Sequence, residues 1–221
     1  MIHSHPTQAM LHNYICGDLS AAAALVVTAH LEFCSHCQGC AARLEDQQAS
    51  KELAQIAPIT HINMQQMLES IIDSEPLPQL QPIAKESPEL LLENRRFKLP
   101  SVLARQQHRI KPWSKMPGKL WKAGIELGTT ENMSLIYLDS HTAIPEHTHK
   151  GTELQLVLHG SFSDEFGSYS DGDLILLDGS HRHTPKTNDE DCLILAVLDA
   201  PLHFTSGISR LLNPFSALFF R

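Results

Sequence analysis

The chain has 221 residues, enough for one large or two small domains, and its 42% apolar content is sufficient for packed cores. A net charge of −8 argues against a nucleic-acid-binding surface, which is normally strongly basic. There is no signal-peptide pattern and no run near the ~20 apolar residues of a membrane span, so we expect a cytoplasmic protein without a membrane or nucleic-acid partner.

The first third of the chain is predicted to be helical, because its apolar residues recur three and four positions apart. The three predicted helices begin after Thr7, at Asp18 or Ser20, and at about Asn63. Gly17 is predicted to end the first helix, and the second is predicted to continue to about Leu44.

A linker with a short helix is predicted next. Residues 73–86 contain three prolines, which favour an extended chain. Ser87, Pro88 and Glu89 supply the cap, first-position proline and acidic first turn of a helix that is predicted to run to about Phe97. The leucines at 90–92 can belong to a core or to a partner-binding surface, and the sequence does not separate these two interpretations.

From about Leu99 the chain changes to short apolar or alternating runs that are separated by turn residues. The runs cover residues 133–138, 153–158, 173–177 and 192–198, and Gly160 is among the turn residues. Such spacing predicts an antiparallel β-sandwich or barrel. The predicted fold class is therefore α plus all-β in two domains. A helical bundle spans residues 1–75, a linker with a short helix spans 76–98, and the β domain spans 99–221.

Two thiols and an imidazole lie within eight residues in the second half of the second predicted helix. On a helix, Cys34 lies about 40° from His30 and Cys37 about 20° the other way, so all three can face one ion. Such ligands suit a closed structural Zn²⁺ site, which needs four, and His5 is the candidate for the fourth. A redox-active CxxC pair is the alternative, although no strand pattern precedes it. Cys40 is about 80° off this face.

A second group of candidate ligands lies in the β part. His147 and His149 point to the same side of a strand, and Glu153 begins the next strand after a turn. The order H-x-H-x3-E-x6-G resembles the first motif of the cupin superfamily, whose second motif supplies one more histidine. Both His181 and His183 are available for that role, and we prefer His183.

Three histidines and a glutamate do not identify the metal. Imidazole suits Zn, Fe, Cu or Ni, and a carboxylate also admits Mn. An iron oxygenase would keep coordination positions open, whereas four protein ligands in a tetrahedron favour a structural or regulatory Zn²⁺.

Taken together, these motifs resemble the ChrR-type zinc-binding anti-sigma factors, which join a zinc anti-sigma domain to a cupin-like domain. The N-terminal half shows His5 followed by H-x3-C-x2-C, and the β half shows the cupin histidines and glutamate, Gly172-Asp173 and His183-Thr184-Pro185. The resemblance covers almost the full chain except residues from about 73 to 100.

The resemblance implies that the helical domain binds one extracytoplasmic-function-type sigma factor and blocks its access to core RNA polymerase. It also implies that the cupin-like domain is needed for the response to singlet oxygen and related oxidants, but not for inhibition. It assigns one zinc to His5, His30, Cys34 and Cys37, and a second metal, expected to be zinc, to His147, His149, Glu153 and His183. This chain departs from the pattern in having His3, Cys40 and His181 as competing residues.

Two other functions compete with a non-enzymatic transcription regulator. A cupin metalloenzyme, such as a dioxygenase with a helical accessory domain, predicts iron in the β domain and consumption of oxygen. A reversible zinc sensor predicts a promoter response to zinc starvation and none to a photosensitiser.

Overall fold

The computed structural model describes residues 2–55, 63–75 and 89–205, and a helical part precedes a part made mostly of antiparallel strands, as predicted. The helices are α1 (Gln8–Cys16), α2 (Ala21–Phe33), α3 (Ser35–Ala54), α4 (Met64–Ile72) and the short α5 (Ser101–Ala104). The strands are β1 (Glu89–Leu92), β2 (Arg95–Lys98), β3 (Ser114–Met116), β4 (Leu120–Ile125), β5 (Asn132–Leu138), β6 (His147–His149), β7 (Glu153–Ser163), β8 (Ser168–Ser170), β9 (Leu174–Leu177), β10 (Arg182–His183), β11 (Cys192–Leu198) and β12 (Leu202–Phe204). The fold class is thus confirmed.

The caps of the first helices are confirmed. The Thr7 hydroxyl accepts a hydrogen bond from Met10 N at 3.1 Å, and the Ser20 hydroxyl accepts one from Ala23 N at 3.2 Å. Gly17 ends α1 with φ 76°, a left-handed conformation that glycine adopts at little cost. These local signals fix the start of α1 and α2 and the turn between them.

The prediction of a single long second helix is wrong, because two helices meet at Cys34. The backbone of Cys34 is extended, with φ −114° and ψ 97°, and this residue both ends α2 and precedes α3. Its sulfur accepts a hydrogen bond from Cys37 N at 3.4 Å, the role that Ser or Asp usually has at a helix start. Because the apolar periodicity continues across the break, the sequence pattern does not reveal it.

The predicted short helix up to Phe97 is also wrong. Residues 89–98 form a hairpin in which β1 pairs with β2, and Glu93 turns the chain with φ 52°. Leu90 and Leu92 are buried while Leu91 is 59% exposed, which is the alternation of a strand. Consecutive leucines satisfy a helix or a strand equally, so their burial against the rest of the protein decides. Ser87 and Pro88, the predicted helix start, lie outside the described residues.

Seven strands form one antiparallel sheet with the path β3-β4-β5-β11-β7-β8, and β9 pairs with β7. A three-stranded sheet, β10-β6-β12, packs against it, because Leu202 and Phe204 of β12 share an apolar cluster with the main sheet. Gly160 is not in a turn but lies within β7, where it pairs with Cys192, two residues from a register shift between Leu193 and Ile194. The sandwich architecture and the four predicted strands are otherwise confirmed.

The central strand β11 is buried on both faces. Ile194 and Ala196 belong to the cluster between the sheets, whereas Leu193 and Leu195 belong to a second cluster on the outer face. That outer cluster also contains Val26 and other residues of α2. The helical part therefore packs directly on the outer face of the main sheet.

The predicted division into residues 1–75, 76–98 and 99–221 stays a prediction, since most of the predicted linker lies outside the described residues. Within the described ranges no single helix is long and apolar enough to cross a membrane. The helices α1 and α2 meet that criterion only as a pair, by length and composition, and they are bent by 113°.

Candidate metal centres

The first set of candidate ligands comes together around the junction of α2 and α3. His5 lies on the N-terminal arm (residues 2–6), His30 on the last turn of α2, Cys34 at the junction and Cys37 on the first turn of α3. One donor atom from each lies within 4.8 Å of the others, and His5 Nδ1 is 3.5 Å and 3.4 Å from the two sulfurs. His5 is exposed, whereas the other three residues are buried.

Hydrogen bonding sets the orientation of His30. Its Nδ1 lies 2.7 Å from the carbonyl oxygen of Gly172, which can only accept, so Nδ1 carries the proton. Its Nε2 then bears a lone pair, and it is buried without a hydrogen-bond partner among the described residues. Burial lowers the pKa of His30 and keeps the ring neutral. An imidazole held by a carbonyl with its other nitrogen free is the usual state of a metal ligand.

The thiols of Cys34 and Cys37, like the ring of His30, are suited to bind a metal cation. Burial, followed by the adjacent Cys34 sulfur, raises the pKa of Cys37 to about 12. Two crowded, buried thiols do not ionise unless a positive ion compensates them, and metal binding releases their protons. Two thiolates and two imidazoles therefore fit Zn²⁺ in a closed four-ligand site.

The competing residues lie outside this set. The Cys40 sulfur is 3.7 Å from His36 Nε2 and accepts a hydrogen bond from Arg43 at 3.2 Å. His3 is exposed and contributes its backbone N–H to a different contact. The structure thus brings together His5 rather than His3.

The second set lies between the two sheets. His147 and His149 alternate on β6, Glu153 begins β7, and His183 lies on β10 directly opposite His147. Their donor atoms also lie within 4.8 Å of one another, and all four residues are at most 4% exposed. The structure therefore brings together the four residues that the sequence pattern named.

Two of these histidines direct lone pairs at each other. His147 Nδ1 is 2.9 Å from the Pro145 carbonyl oxygen, and His183 Nδ1 is 2.8 Å from an Asp164 carboxylate oxygen. Both acceptors assign a proton to Nδ1, so in the neutral rings the two Nε2 atoms, only 3.1 Å apart, both carry lone pairs. The Nε2 of His149 lies 3.3 Å from that of His183. Converging lone pairs repel, and a bound cation relieves this repulsion.

The charges of the second set also match a cation. Burial, followed by the neighbouring His183, lowers the pKa of His147 to about 3 and that of His149 to about 4. Burial raises the pKa of Glu153 to about 7. Glu153 Oε2 and His149 Nδ1 are 3.3 Å apart but make no hydrogen bond. Neutral imidazoles around a buried carboxylate supply ligands and a counter-charge for a metal ion.

The structure distinguishes His183 from His181. The ring of His181 is partly exposed, and its Nδ1 lies 2.9 Å from an oxygen of Asp178, outside the second set. Sequence reasoning missed Asp164, the buried partner of His183. Burial raises the pKa of Asp164, but hydrogen bonds from His183 and two backbone amides outweigh this effect and lower it. No local pattern in the sequence indicates this contact, because its two residues are 19 positions apart.

Three comparisons with known proteins agree with this architecture. Residues 105–201 match the family described as the ChrR cupin-like domain. The anti-sigma-E factor ChrR of Cereibacter sphaeroides is 31% identical over 216 residues, which cover 97% of this chain and 98% of that protein.

Among solved structures, the crystal structure of Rhodobacter sphaeroides SigE in complex with the anti-sigma ChrR contains a similar chain. The TM-score is 0.69 at 28% identity, and the match covers 90% of this chain and 100% of that one. An RmlC-like cupin protein from Ralstonia eutropha JMP134 is more distant, with a TM-score of 0.40 and 19% identity over 52% of this chain and 87% of that one.

Proposed function

Because this chain belongs to the family of the anti-sigma factor ChrR, we propose that it sequesters one extracytoplasmic-function-type sigma factor and keeps it from core RNA polymerase. The relative matched over nearly the whole chain is an anti-sigma factor, which supports a regulator rather than a cupin oxygenase. The similar chain comes from a complex with SigE, which supports a sigma factor as the partner. Such an inhibitor acts in the cytoplasm, where transcription takes place.

The apolar face of α4 carries the proposal. Asn63 caps this helix by accepting a hydrogen bond from Gln66 N at 3.2 Å, so the helix has a defined start. Its large apolar residues are between 54% and 73% exposed: Met64, Met67, Leu68, Ile71 and Ile72. An amphipathic helix with an exposed apolar side is a common way to bind a groove in a partner protein.

Zinc in the first set would hold the helical part in its binding shape. Its four ligands come from the N-terminal arm, α2 and α3, so a single ion would tie three segments together. A small helical domain buries little apolar area by itself and gains stability from such a site.

The second set, which has no thiol, is the proposed sensor of oxidants such as singlet oxygen. Glu153 begins β7, and Leu154, Leu156 and Leu158 of that strand share the outer apolar cluster with α2. The helix α2 carries His30 of the first set. Loss of a ligand or of the metal, expected to be Zn²⁺, would therefore disturb a strand that supports the helical part and favour release of the sigma factor.

Co-purification with the sigma factor encoded beside this protein tests the proposal. The full chain is expected to bind it 1:1, and Ile71→Asp on α4 is expected to weaken binding by at least ~100-fold, the scale of an interface hot spot. Leu176→Asp is the matched control, since Leu176 is also exposed, at 46%, but lies on β9. Absence of binding by the unmodified chain, or equal losses in both variants, would refute the proposal.

A promoter reporter tests the signal. If the second set senses oxidants, a photosensitiser in light induces the sigma-dependent promoter in cells that carry the full chain. Induction by zinc starvation alone would instead identify a reversible zinc sensor.

A further inference from the structure

The N-terminal arm is held by the β part of the protein. Asp173 accepts hydrogen bonds from the backbone N–H groups of His3 and Ser4, both at 2.7 Å to the same carboxylate oxygen. The Ser4 carbonyl in turn accepts a hydrogen bond from Leu174 N at 3.0 Å. Asp173 is fully buried, and both bonds are partly buried, which strengthens them relative to bonds in water. His5, the exposed ligand of the first set, is the next residue of the arm.

The neighbouring Gly172 contacts a second ligand of the same set. Its carbonyl oxygen accepts the hydrogen bond from His30 Nδ1 at 2.7 Å. Its φ is +87°, and an added Cβ would lie 2.8 Å from Phe33 Cβ and 2.7 Å from Ile2 Cδ1. Only a glycine fits between the arm and α2 at this point. Residues 172–174 thus hold two of the four candidate ligands, one through the arm and one directly.

We propose that Asp173 is a positioning residue for the first metal set, through which the cupin-like part holds the arm and brings His5 to Cys34 and Cys37. The inference rests on the zinc ligands of the proposed function. Without the Asp173 carboxylate the arm loses two of these hydrogen bonds and keeps the one from Leu174 N, so ordering the arm costs more conformational entropy each time the site closes. With Asp173 the arm is ordered before the metal binds, so less of the free energy of metal binding is lost to ordering the arm and the affinity for Zn²⁺ is higher.

The segment 172–174, which holds the arm, also lies between the two metal sets. Residues 172–174 lead directly into β9, and Leu177 of β9 is the pairing partner of Glu153 in the second set. Because β9 is paired to β7 along its length, Asp173 and Glu153 are connected through one short strand.

Metal affinity at the first set, measured in the full chain, tests the role of Asp173. Bound Co²⁺ gives a sulfur-to-metal charge-transfer absorption only where thiolates are ligands, so this signal reports the first set and not the thiol-free second set. Zn²⁺ affinity follows from its displacement of Co²⁺. Asp173→Ala and a chain lacking residues 2–4 are each expected to weaken Zn²⁺ binding by ~10–100-fold, the usual cost of losing an outer-shell contact. Asp171→Ala, an exposed aspartate in the same turn, is expected to stay within about twofold.

The combination of both changes separates a positioning role from a general structural one. If Asp173 acts through the arm, adding Asp173→Ala to the chain lacking residues 2–4 weakens binding no further. Unchanged affinity in either single variant, or losses that multiply in the combination, would overturn the proposal.

Asp173 also accepts a hydrogen bond from Ser170 N at 2.8 Å, so its removal can disturb the turn. Circular dichroism checks folding, and if Asp173→Ala does not fold, the arm deletion alone decides the outcome. Zn²⁺ affinity is measured without the sigma factor, so a failure here is distinct from a failure of sigma binding.

Discussion

The carboxylate of Asp164 allows the second metal set to be tested without changing a ligand. One oxygen accepts the hydrogen bond from His183 Nδ1 at 2.8 Å, and the other accepts from Phe166 N and Gly167 N at 2.9 Å and 3.1 Å. In Asp164→Asn the amide oxygen must face the two backbone N–H groups, so its NH₂ group faces His183. His183 then has to accept at Nδ1, which moves its proton to Nε2, the atom that faces the other histidines.

The substitution Asp164→Asn therefore removes the lone pair of His183 Nε2 that would bind the metal, in addition to loosening the His183 side chain. Loss of an outer-shell partner typically weakens metal binding by ~10–100-fold, which corresponds to ~1.4–2.7 kcal/mol. Because the substituted amide favours the wrong tautomer of His183, we expect the upper end of this range for Asp164→Asn.

The assay is competition for Zn²⁺ between the full chain and a chromophoric chelator, with the cobalt–thiolate absorption used to follow the first set separately. Asp178→Asn is the control, because Asp178 pairs with His181 at 2.9 Å in the same way but outside the second set. The reasoning is refuted if Asp164→Asn retains full affinity at the second set, or if Asp178→Asn loses as much.

Two further predictions concern the first set and the sheet. Cys37→Ser is expected to weaken Zn²⁺ binding at the first set by more than the ~100-fold of an outer-shell change. Zn²⁺ affinity of Cys40→Ser should stay within about twofold of that of the unmodified chain. The cobalt titration measures both affinities, and equal effects would contradict the ligand assignment. Gly160→Ala places a Cβ 1.8 Å from the Asp191 carbonyl oxygen at φ +75° and should lower the free energy of unfolding by about 2–4 kcal/mol. Gly128→Ala has a similar φ of +73° but open space around it, so denaturant unfolding should show a loss of only about 1 kcal/mol, and equal losses would exclude the clash.

Local patterns in the sequence were sufficient where the physics is local. The caps at Thr7 and Ser20 need only the neighbouring backbone, and both are present in the structure. The predicted boundaries of β11 agree with the structure, because a run of seven apolar residues is bounded by turn residues.

Local patterns failed where packing decides between two conformations. The leucines of β1 suit a helix or a strand, and the hairpin forms because Leu90, Leu92 and Phe97 are buried in the outer cluster of the sheet. The break at Cys34 also escaped prediction, since a cysteine sulfur is not among the side chains expected to cap a helix.

The amino-acid sequence by itself predicted the candidate ligands of both metal sets, because metal chemistry restricts the residue types and the spacing restricts which of them share a face. Only the tertiary structure decided what surrounds those donors. Asp164 reaches His183 across 19 residues, and Gly172 reaches His30 across 142. Periodicity shows that a face of α2 or β7 is apolar, but it carries no information on which distant segment covers that face. The contacts that orient the ligands are made between such segments, so they exist only once the chain has folded.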